Sequence, residues 1–214
     1  MKRRLLSVIY MFVLTLFFTS LVSAVKIANE ERIERNQQIK LQRIILKVLG
    51  IPVRAKAAAE DLVGIFKARV KSVQVKGRLL HIGYGEDGQT IIGYAFPVGG
   101  PGFWGPVYGM IAVDSRASGI LGAAFHKHTE TPGLGGRISE PWFTEQFTGL
   151  SLFYPVTGDK KIFYLRPEGT GRKPNELDAI TGATGTSRAV EAFLNRELEY
   201  FLKELWSPLK KGGV

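Results

Sequence analysis

The longest hydrophobic run in the sequence lies near its N-terminus. Residues Leu5 to Val25 carry no charge and are rich in Leu, Phe, Val and Ile. This run of 21 residues extends about 31 Å as a helix, which is enough to cross the hydrocarbon core of a bilayer. The basic cluster Lys2-Arg3-Arg4 predicts a cytoplasmic N-terminus, with the remainder of the chain on the other side of the membrane.

A cleaved signal peptide is the alternative to this anchor. Val22-Ser23-Ala24 resembles a small-residue cleavage site. The apolar run is longer than the roughly 7–15 residues of a signal-peptide core, which favours a retained helix. Both interpretations place the following domain outside the cytoplasm, and cleavage after Ala24 stays open.

A helical pattern continues beyond the apolar run. A helix is predicted from Glu30 to Leu49, with Gly50 and Pro52 as its C-terminal signals. Its apolar stripe would pack on its own domain or on a partner membrane subunit. A second, short helix is predicted over Ala55–Lys67. The sequence is accordingly divided into an anchor (1–26), a juxtamembrane helix (27–54) and an extracytoplasmic domain (55–214).

The pattern then changes to alternating and β-rich segments separated by glycine-bearing turns. The candidate strands are Ser72–Val75, Leu79–Tyr84, Thr90–Phe96, Val107–Val113, Ile120–His126 and Lys161–Leu165. Strands follow one another, and helices stand at the two ends. This order predicts an α+β fold with a mostly antiparallel sheet flanked by helices, rather than a doubly wound parallel sheet.

A turn of small and hydroxyl-bearing residues precedes the last predicted helix. It reads Asp178-Ala-Ile-Thr-Gly-Ala-Thr-Gly-Thr-Ser187, and apolar residues then recur at spacings of three and four. The first turn of a helix has unpaired N–H groups and the positive end of the dipole, which suits a phosphate. An ordinary Ser/Thr cap explains the same residues, and this pattern alone does not choose between them.

Composition narrows the possible chemistry. The 214 residues carry a formal net charge of +10, which favours contact with phosphates, lipids or an acidic partner. Nucleic acid is disfavoured because the basic residues are scattered and the leader directs export. The absence of cysteine excludes disulfides, thiolate zinc sites, Cys-held iron–sulfur clusters and C-x-x-C-H haem attachment. A redox cofactor would therefore be organic or held by other ligands.

Two more glycine-rich loops are candidates for ligand contact. Residues 100–105 fit G-x-G-x-x-G, but a β-rich run follows where a dinucleotide site needs a helix. Phe103 and Trp104 on this loop would form an apolar wall beside a flat ring, or would pack inwards in a plain hairpin. Residues 129–136 concentrate glycine and proline, as expected where the backbone approaches a ligand closely.

Two histidines stand beside the second loop. His126 and His128 would share one face of a strand, but no third His or Cys accompanies them. Surface or packing histidines are the better interpretation, and no metal site is predicted.

These segments resemble the covalent-FMN subunits of bacterial respiratory complexes, namely the G subunit of the Rnf complex and the C subunit of the sodium-translocating NADH:quinone reductase. The resemblance covers the anchor, the helix ending in Leu-Gly-Ile, the two glycine-rich loops and the turn before the last helix. The family's attachment signature, D-x-x-[S/T]-G-A-T, is present as Asp178, Thr181, Gly182, Ala183 and Thr184.

The resemblance implies an FMN whose phosphate is esterified to the Thr184 hydroxyl by a dedicated flavin transferase. Thr186 and Ser187 have the wrong register for attachment. The other implied cofactor-contacting residues come from the signature and the two loops: Asp178, Thr181, Gly182, Ala183, Thr186, Phe103, Trp104, Glu130, Thr131, Gly133, Leu134 and Gly135.

The resemblance also implies a role. The protein would be a single-pass subunit of the bacterial inner membrane with its domain on the periplasmic side. It would relay electrons within a redox-driven ion-translocating oxidoreductase and have no independent catalysis. The implied partners are other membrane subunits of an Rnf- or Nqr-type complex, the flavin transferase and membrane lipid.

Three questions stay open at this point. His128, two residues before Glu130, resembles the Rnf protein, whereas Gly102-Phe-Trp-Gly105 and Gly136-Arg-Ile138 resemble the Nqr protein. A free-standing exported flavinylated carrier fits the same mixture. A module that binds a phosphorylated small molecule noncovalently, or a structural anchor whose turn is only a cap, would explain the turn without a covalent flavin.

Overall fold

The computed structural model describes residues 2–54, 57–152, 161–171, 173–206 and 209. The chain forms two compact units, Met1–Leu41 and Gln42–Val214. The first unit belongs to helix α1, which runs from Lys2 to Val48. This helix is long and apolar enough to cross a membrane, with a mean hydropathy of 2.3 in its apolar window. A signal sequence would share both properties.

The end of α1 belongs to the second unit and is capped as the sequence predicts. Gly50 has a φ of +72°. Its N–H donates to the Lys47 carbonyl at 3.1 Å, and the Ile51 N–H donates to the Leu46 carbonyl at 2.9 Å. This pair of bonds is a Schellman ending, which glycine favours because it has no Cβ. The predicted anchor and juxtamembrane helix both fall on α1, and the three-part division stays a prediction.

A five-stranded antiparallel meander forms the centre of the second unit. The strands run in the order β1-β2-β3-β4-β5. Their bounds are β1 Val70–Val75, β2 Arg78–Tyr84, β3 Ile91–Pro101, β4 Pro106–Asp114 and β5 Ile120–Lys127. The predicted α+β fold is confirmed, and each of these strands overlaps its predicted segment.

The helices begin and end as follows. Helix α2 spans Ala59–Arg69, a short helix α3 spans Pro141–Thr144, and α4 spans Thr184–Tyr200 before continuing as a π-helix over Phe201–Trp206. Turns of 3-10 helix cover Gly135–Ser139 and Glu145–Phe147. Of the helix predicted over 55–67, Ala55 and Lys56 lie outside the described residues, and α2 begins later than predicted.

A second, two-stranded sheet was not predicted. Strands β6 (Tyr164–Arg166) and β7 (Glu176–Asp178) pair in parallel. The strand predicted over Lys161–Leu165 is wrong in its first part, because the N–H groups of Ile162 and Phe163 donate to the Asn195 side chain instead of to a strand.

The two faces of the large sheet pack against different helices. One face carries large side chains against α4 and its π-helical extension, where the rings of Phe96 and Phe201 stack at 4.6 Å. The other face is lined by small residues. A Cβ at Gly83 would meet the Leu49 side chain at 2.9 Å, and one at Gly122 would meet the Val48 carbonyl at 2.9 Å. The stripe at the end of α1 therefore packs on its own domain.

The apolar stripe predicted for the last helix is also buried. Val190, Phe193, Leu194, Leu198, Phe201 and Leu205 are all buried in the core. This packing fixes the start of α4 beside the β3–β4 turn, because Phe193 lies against Gly100 at the end of β3.

Candidate functional site

The N-terminus of α4 has no side-chain cap. Gly182 has a φ of +77°, and the N-cap residue is Ala183, whose methyl group cannot accept a hydrogen bond. The first turn contains no acidic residue, and the first N–H to pair with a helical carbonyl is that of Ser187, which bonds Ala183 at 3.0 Å. Across the described residues, the N–H groups of Thr184, Gly185 and Thr186 find no acceptor. A hydroxyl cap, one of the two sequence-based explanations, is therefore wrong.

Three of the four hydroxyls in this turn are occupied. Thr186 donates to Glu130 Oε2 at 2.5 Å, and Thr181 donates to Glu168 Oε2 at 2.6 Å. The Ser187 hydroxyl accepts the Ile180 N–H at 3.0 Å. The Thr184 side chain is exposed, and its hydroxyl has no hydrogen-bond partner in the described part of the chain.

The two glycine-rich loops meet at this helix end through Glu130. Its side chain is 4% exposed. Oε1 accepts the N–H groups of Phe103 at 2.8 Å and Trp104 at 3.0 Å, while Oε2 accepts the Thr186 hydroxyl. One carboxylate thus joins the loop between β3 and β4 to the first turn of α4.

The glycines of these loops serve contacts between the loops themselves. A Cβ at Gly102 would lie 2.5 Å from Glu130 Oε1, and one at Gly135 would lie 2.7 Å from Glu130 Oε2. A Cβ at Gly185 would lie 2.8 Å from Phe103 Cε2 and closer to Cδ2. The expectation that glycine marks close approach to a ligand is corrected here, because protein atoms already fill the space. Gly133 has open space around it and a φ of +75°, as a turn residue.

The aromatic residues of the first loop face solvent. Phe103 is 62% exposed and Trp104 is 68% exposed. Their rings meet edge to face, with centroids 5.1 Å apart. Inward packing in a plain hairpin is therefore wrong, and the pair is free to form one side of a cleft.

Two cavities adjoin Thr184. The smaller, of about 210 Å³, has both loops and the helix start as its walls. It is lined by Phe103, Trp104, Glu130, Thr131, Leu134, Gly135, Gly182, Ala183, Thr184, Gly185 and Thr186. The larger, of about 490 Å³, is lined on its other sides by Leu165–Glu168, Ala179–Thr181 and Ser187, Arg188 and Glu191. Both cavities share Gly182 and Thr184.

The structure brings most of the predicted site residues together. Thr181 lines the larger cavity, whereas Gly133 and Asp178 line neither. Asp178 instead fixes the preceding loop, since its carboxylate accepts the Gly169 N–H at 2.9 Å. Its backbone N–H donates to Gln146 Oε1 at 2.6 Å.

Sequence reasoning missed the cations of the larger cavity. Arg166 and Arg188 both line it. Arg188 follows Thr184 by four residues, a spacing that places both on one face of α4 and was available as a signal. His128 pairs with the Ser139 hydroxyl at 2.9 Å. The described residues contain no group of three or more side chains that would hold a metal.

Residues 102–199 match the family described as FMN-binding domain. The chain belongs to the FMN-binding domain family. The matched segment begins at the aromatic loop and ends in α4, so it contains Glu130, both cavities and Thr184. The family suspected from the attachment signature is thereby confirmed.

Similar proteins carry a related name. The chain is 35% identical to the C subunit of the Na(+)-translocating NADH-quinone reductase of Neisseria meningitidis serogroup B over 133 residues, covering 62% of this chain and 48% of the relative. It is 31% identical to the protein of the same name from Yersinia pestis over 141 residues, covering 66% and 50%. The chain spans about half the length of the curated relatives it matches.

Solved structures confirm the fold of the FMN-binding domain. The crystal structure of the protein of that name from Parabacteroides distasonis matches with a TM-score of 0.67 and 26% identity, covering 82% of this chain and 96% of that one. Shewanella oneidensis NqrC matches with a TM-score of 0.64 and 21% identity, covering 82% and 97%.

Proposed function

We propose that this protein carries FMN as a phosphoester on the Thr184 hydroxyl. The observation that carries the proposal is that Thr184 offers an exposed, unpaired hydroxyl at the uncapped start of a helix. The other three hydroxyls of the turn are engaged with Glu130, Glu168 and the Ile180 N–H.

The residues present fit the phosphate of FMN. Unpaired N–H groups and the positive end of the helix dipole favour an anion at the first turn of α4. Arg188 adds a positive charge on the same side of the helix. No acidic residue in the first turn opposes an anion there.

The residues also fit a flat ring. The smaller cavity, at about 210 Å³, is below the roughly 300–1,000 Å³ of a complete ligand pocket and suits part of a molecule. Phe103, Trp104 and Leu134 supply apolar surface, and all three are exposed. A ring against them would keep an edge open to another redox protein.

The linkage balances as follows. Thr184 Oγ loses its proton and forms a bond to the flavin phosphorus. The phosphorus gives up a bond to oxygen of a flavin nucleotide anhydride, and the leaving phosphate keeps that electron pair. Relative to the bare polypeptide, the added mass is that of FMN less one water. A dedicated flavin transferase would supply the anhydride.

The proposed role is a membrane-anchored electron carrier within an Nqr- or Rnf-type ion-translocating oxidoreductase. FMN supplies one- and two-electron chemistry when bound, while the protein supplies position and surrounding charge. The role is supported by the names of the similar proteins, the apolar helix in Lys2–Val48 and the absence of cysteine. Its partners would be other membrane subunits of that complex and lipid, with the domain on the periplasmic side.

The test is the Thr184→Ala variant, co-expressed with the transferase. It should lose protein-bound flavin fluorescence in a denaturing gel, because no other hydroxyl of the turn is free. Thr181→Ala is the matched control, since it removes an exposed threonine hydroxyl from the same turn and should keep the fluorescent band. A fluorescent band in Thr184→Ala refutes the assignment. Flavin that co-purifies but is lost on denaturation of the wild type would indicate a noncovalent binding module.

A further inference from the structure

We propose that Glu130 is the positioning residue of this site, whose buried carboxylate holds the aromatic loop against the first turn of α4. This inference rests on the proposed function for its consequence, but its geometry stands alone. The family resemblance implies that Glu130 contacts the cofactor. The hydrogen bonds assign its oxygens to the protein instead.

Both carboxylate oxygens are saturated by protein donors. Oε1 accepts two backbone N–H groups, from Phe103 at 2.8 Å and Trp104 at 3.0 Å. Oε2 accepts the Thr186 hydroxyl at 2.5 Å. A carboxylate that only accepts matches a set of three donors, and such charge-assisted bonds are stronger than neutral ones. Glu130 is only 4% exposed, so water does not replace these contacts.

The surroundings are shaped to the carboxylate. Gly102 and Gly135 face its two oxygens, and a Cβ at either position would come within 2.7 Å of one of them. An aspartate at position 130 would be one methylene too short to reach both the loop and the helix. A glutamine would keep the shape, but its amide nitrogen would donate where Oε2 accepts.

The aromatic loop depends on this anchor. The side chains of Phe103 and Trp104 are mostly exposed, so packing contributes little to holding them. Within the loop, the Gly102 N–H bonds the Gly105 carbonyl at 2.7 Å, which closes the turn but does not attach it to α4. Glu130 makes that attachment through Thr186, two residues after Thr184. The distance between the ring wall and the attachment hydroxyl is therefore fixed by one side chain.

The charge of Glu130 has a second consequence. A buried negative charge beside the site disfavours adding electrons to a bound flavin, because charges interact strongly where water is excluded. Removing the charge while keeping the shape should therefore raise the midpoint potential of the flavin.

Two variants separate position from charge. In Glu130→Ala the Phe103 and Trp104 amides lose their acceptor. Their hydrogen exchange should become about tenfold faster or more, since a hydrogen bond to a charged group contributes free energy equivalent to at least that factor. In Glu130→Gln the remaining carbonyl oxygen keeps those amides protected, but the flavin midpoint potential rises. Glu168→Gln is the matched control, because Glu168 also accepts a threonine hydroxyl of this turn but has no bond to the loop.

The outcomes are distinct from those that test the flavin itself. Exchange at Phe103 and Trp104 is measured on the protein with or without flavin, so it decides the anchoring role even if Thr184 proves unmodified. Unchanged exchange in Glu130→Ala overturns the proposal. A flavin potential in Glu130→Gln equal to that of Glu168→Gln overturns the electrostatic part. If Glu130→Ala does not fold, Thr186→Val tests the same attachment from the helix side and should increase exchange at the loop amides.

Discussion

The Gly185→Ala substitution tests how closely the aromatic wall lies against the helix start. A Cβ at position 185 would come 2.8 Å from Phe103 Cε2 and 3.2 Å from Cγ. Contacts this short are not tolerated, so the Phe103 ring must move. It can do so because it is 62% exposed and no core packing holds it.

The expected change in stability is small because two effects offset each other. Alanine stabilises a helical position by about 0.5–1 kcal/mol relative to glycine. Loss of the edge-to-face contact between Phe103 and Trp104 costs about 0.5–1.5 kcal/mol. The net change should lie within about 1 kcal/mol, which corresponds to a shift in melting temperature of no more than about 4 °C in a domain of this size. The site, in contrast, should lose one side of its cleft.

The assay combines thermal unfolding with iodide quenching of flavin fluorescence. Gly185→Ala should leave the melting temperature nearly unchanged and increase the accessibility of the flavin to iodide. Gly64→Ala is the matched control, because Gly64 lies in α2 with nothing within 4 Å of the added Cβ. It should stabilise by about 0.5–1 kcal/mol and leave quenching unchanged. A destabilisation above about 3 kcal/mol, well beyond the offsetting helix and ring terms, or quenching equal to that of the control, would refute this reasoning.

Three further predictions concern the domain around the site. Asn195→Ala should lower the free energy of unfolding by about 2–4 kcal/mol in urea titration, because the buried N–H groups of Ile162 and Phe163 lose their acceptor; a loss below about 1 kcal/mol, the size of one ordinary hydrogen bond, would contradict this. Phe193→Ala should cost about 3–5 kcal/mol, since its ring is 1% exposed in the core, and a surface-like value would contradict the packing. Burial lowers the pKa of His81 below its ordinary 6.5, so the unfolded chain binds the proton more readily. The stability contributed by the neutral ring is complete above about pH 6.5 and is lost as the pH falls towards the folded-state pKa. His81→Gln should flatten the pH dependence of the melting temperature in that range, and an unchanged profile would contradict it.

Much of the fold follows from local patterns. Alternation and glycine turns locate the five strands of the meander, and a spacing of three and four locates the buried face of α4. Gly50 is identifiable as a helix ending because the left-handed conformation there favours glycine. These features are local, so one sequence contains enough information to find them.

The features that sequence reasoning missed have non-local causes. Strand β7 has only three residues and pairs with β6 across a loop, so no period marks it. The shortened β6 results from Asn195, far along the chain. The bond between Glu130 and Thr186 spans 56 residues, and it explains glycines that the pattern had assigned to ligand approach.

The candidate site is predicted unevenly for the same reason. The attachment turn and both loops are recognisable because each is a compact motif. The motifs could not show which hydroxyl is free, since that depends on partners contributed by distant segments. The family signature selects Thr184, and the hydrogen bonds of its neighbours supply an independent physical reason.

The measurement that tests the central claim most directly is mass spectrometry of the peptide containing Thr184. The protein should be purified from membranes in which the flavin transferase is active, and fragmentation should locate any added group. The account predicts an added mass of FMN less one water on Thr184, with Thr181, Thr186 and Ser187 unmodified. An unmodified Thr184, or the same mass on one of its neighbours, would contradict it.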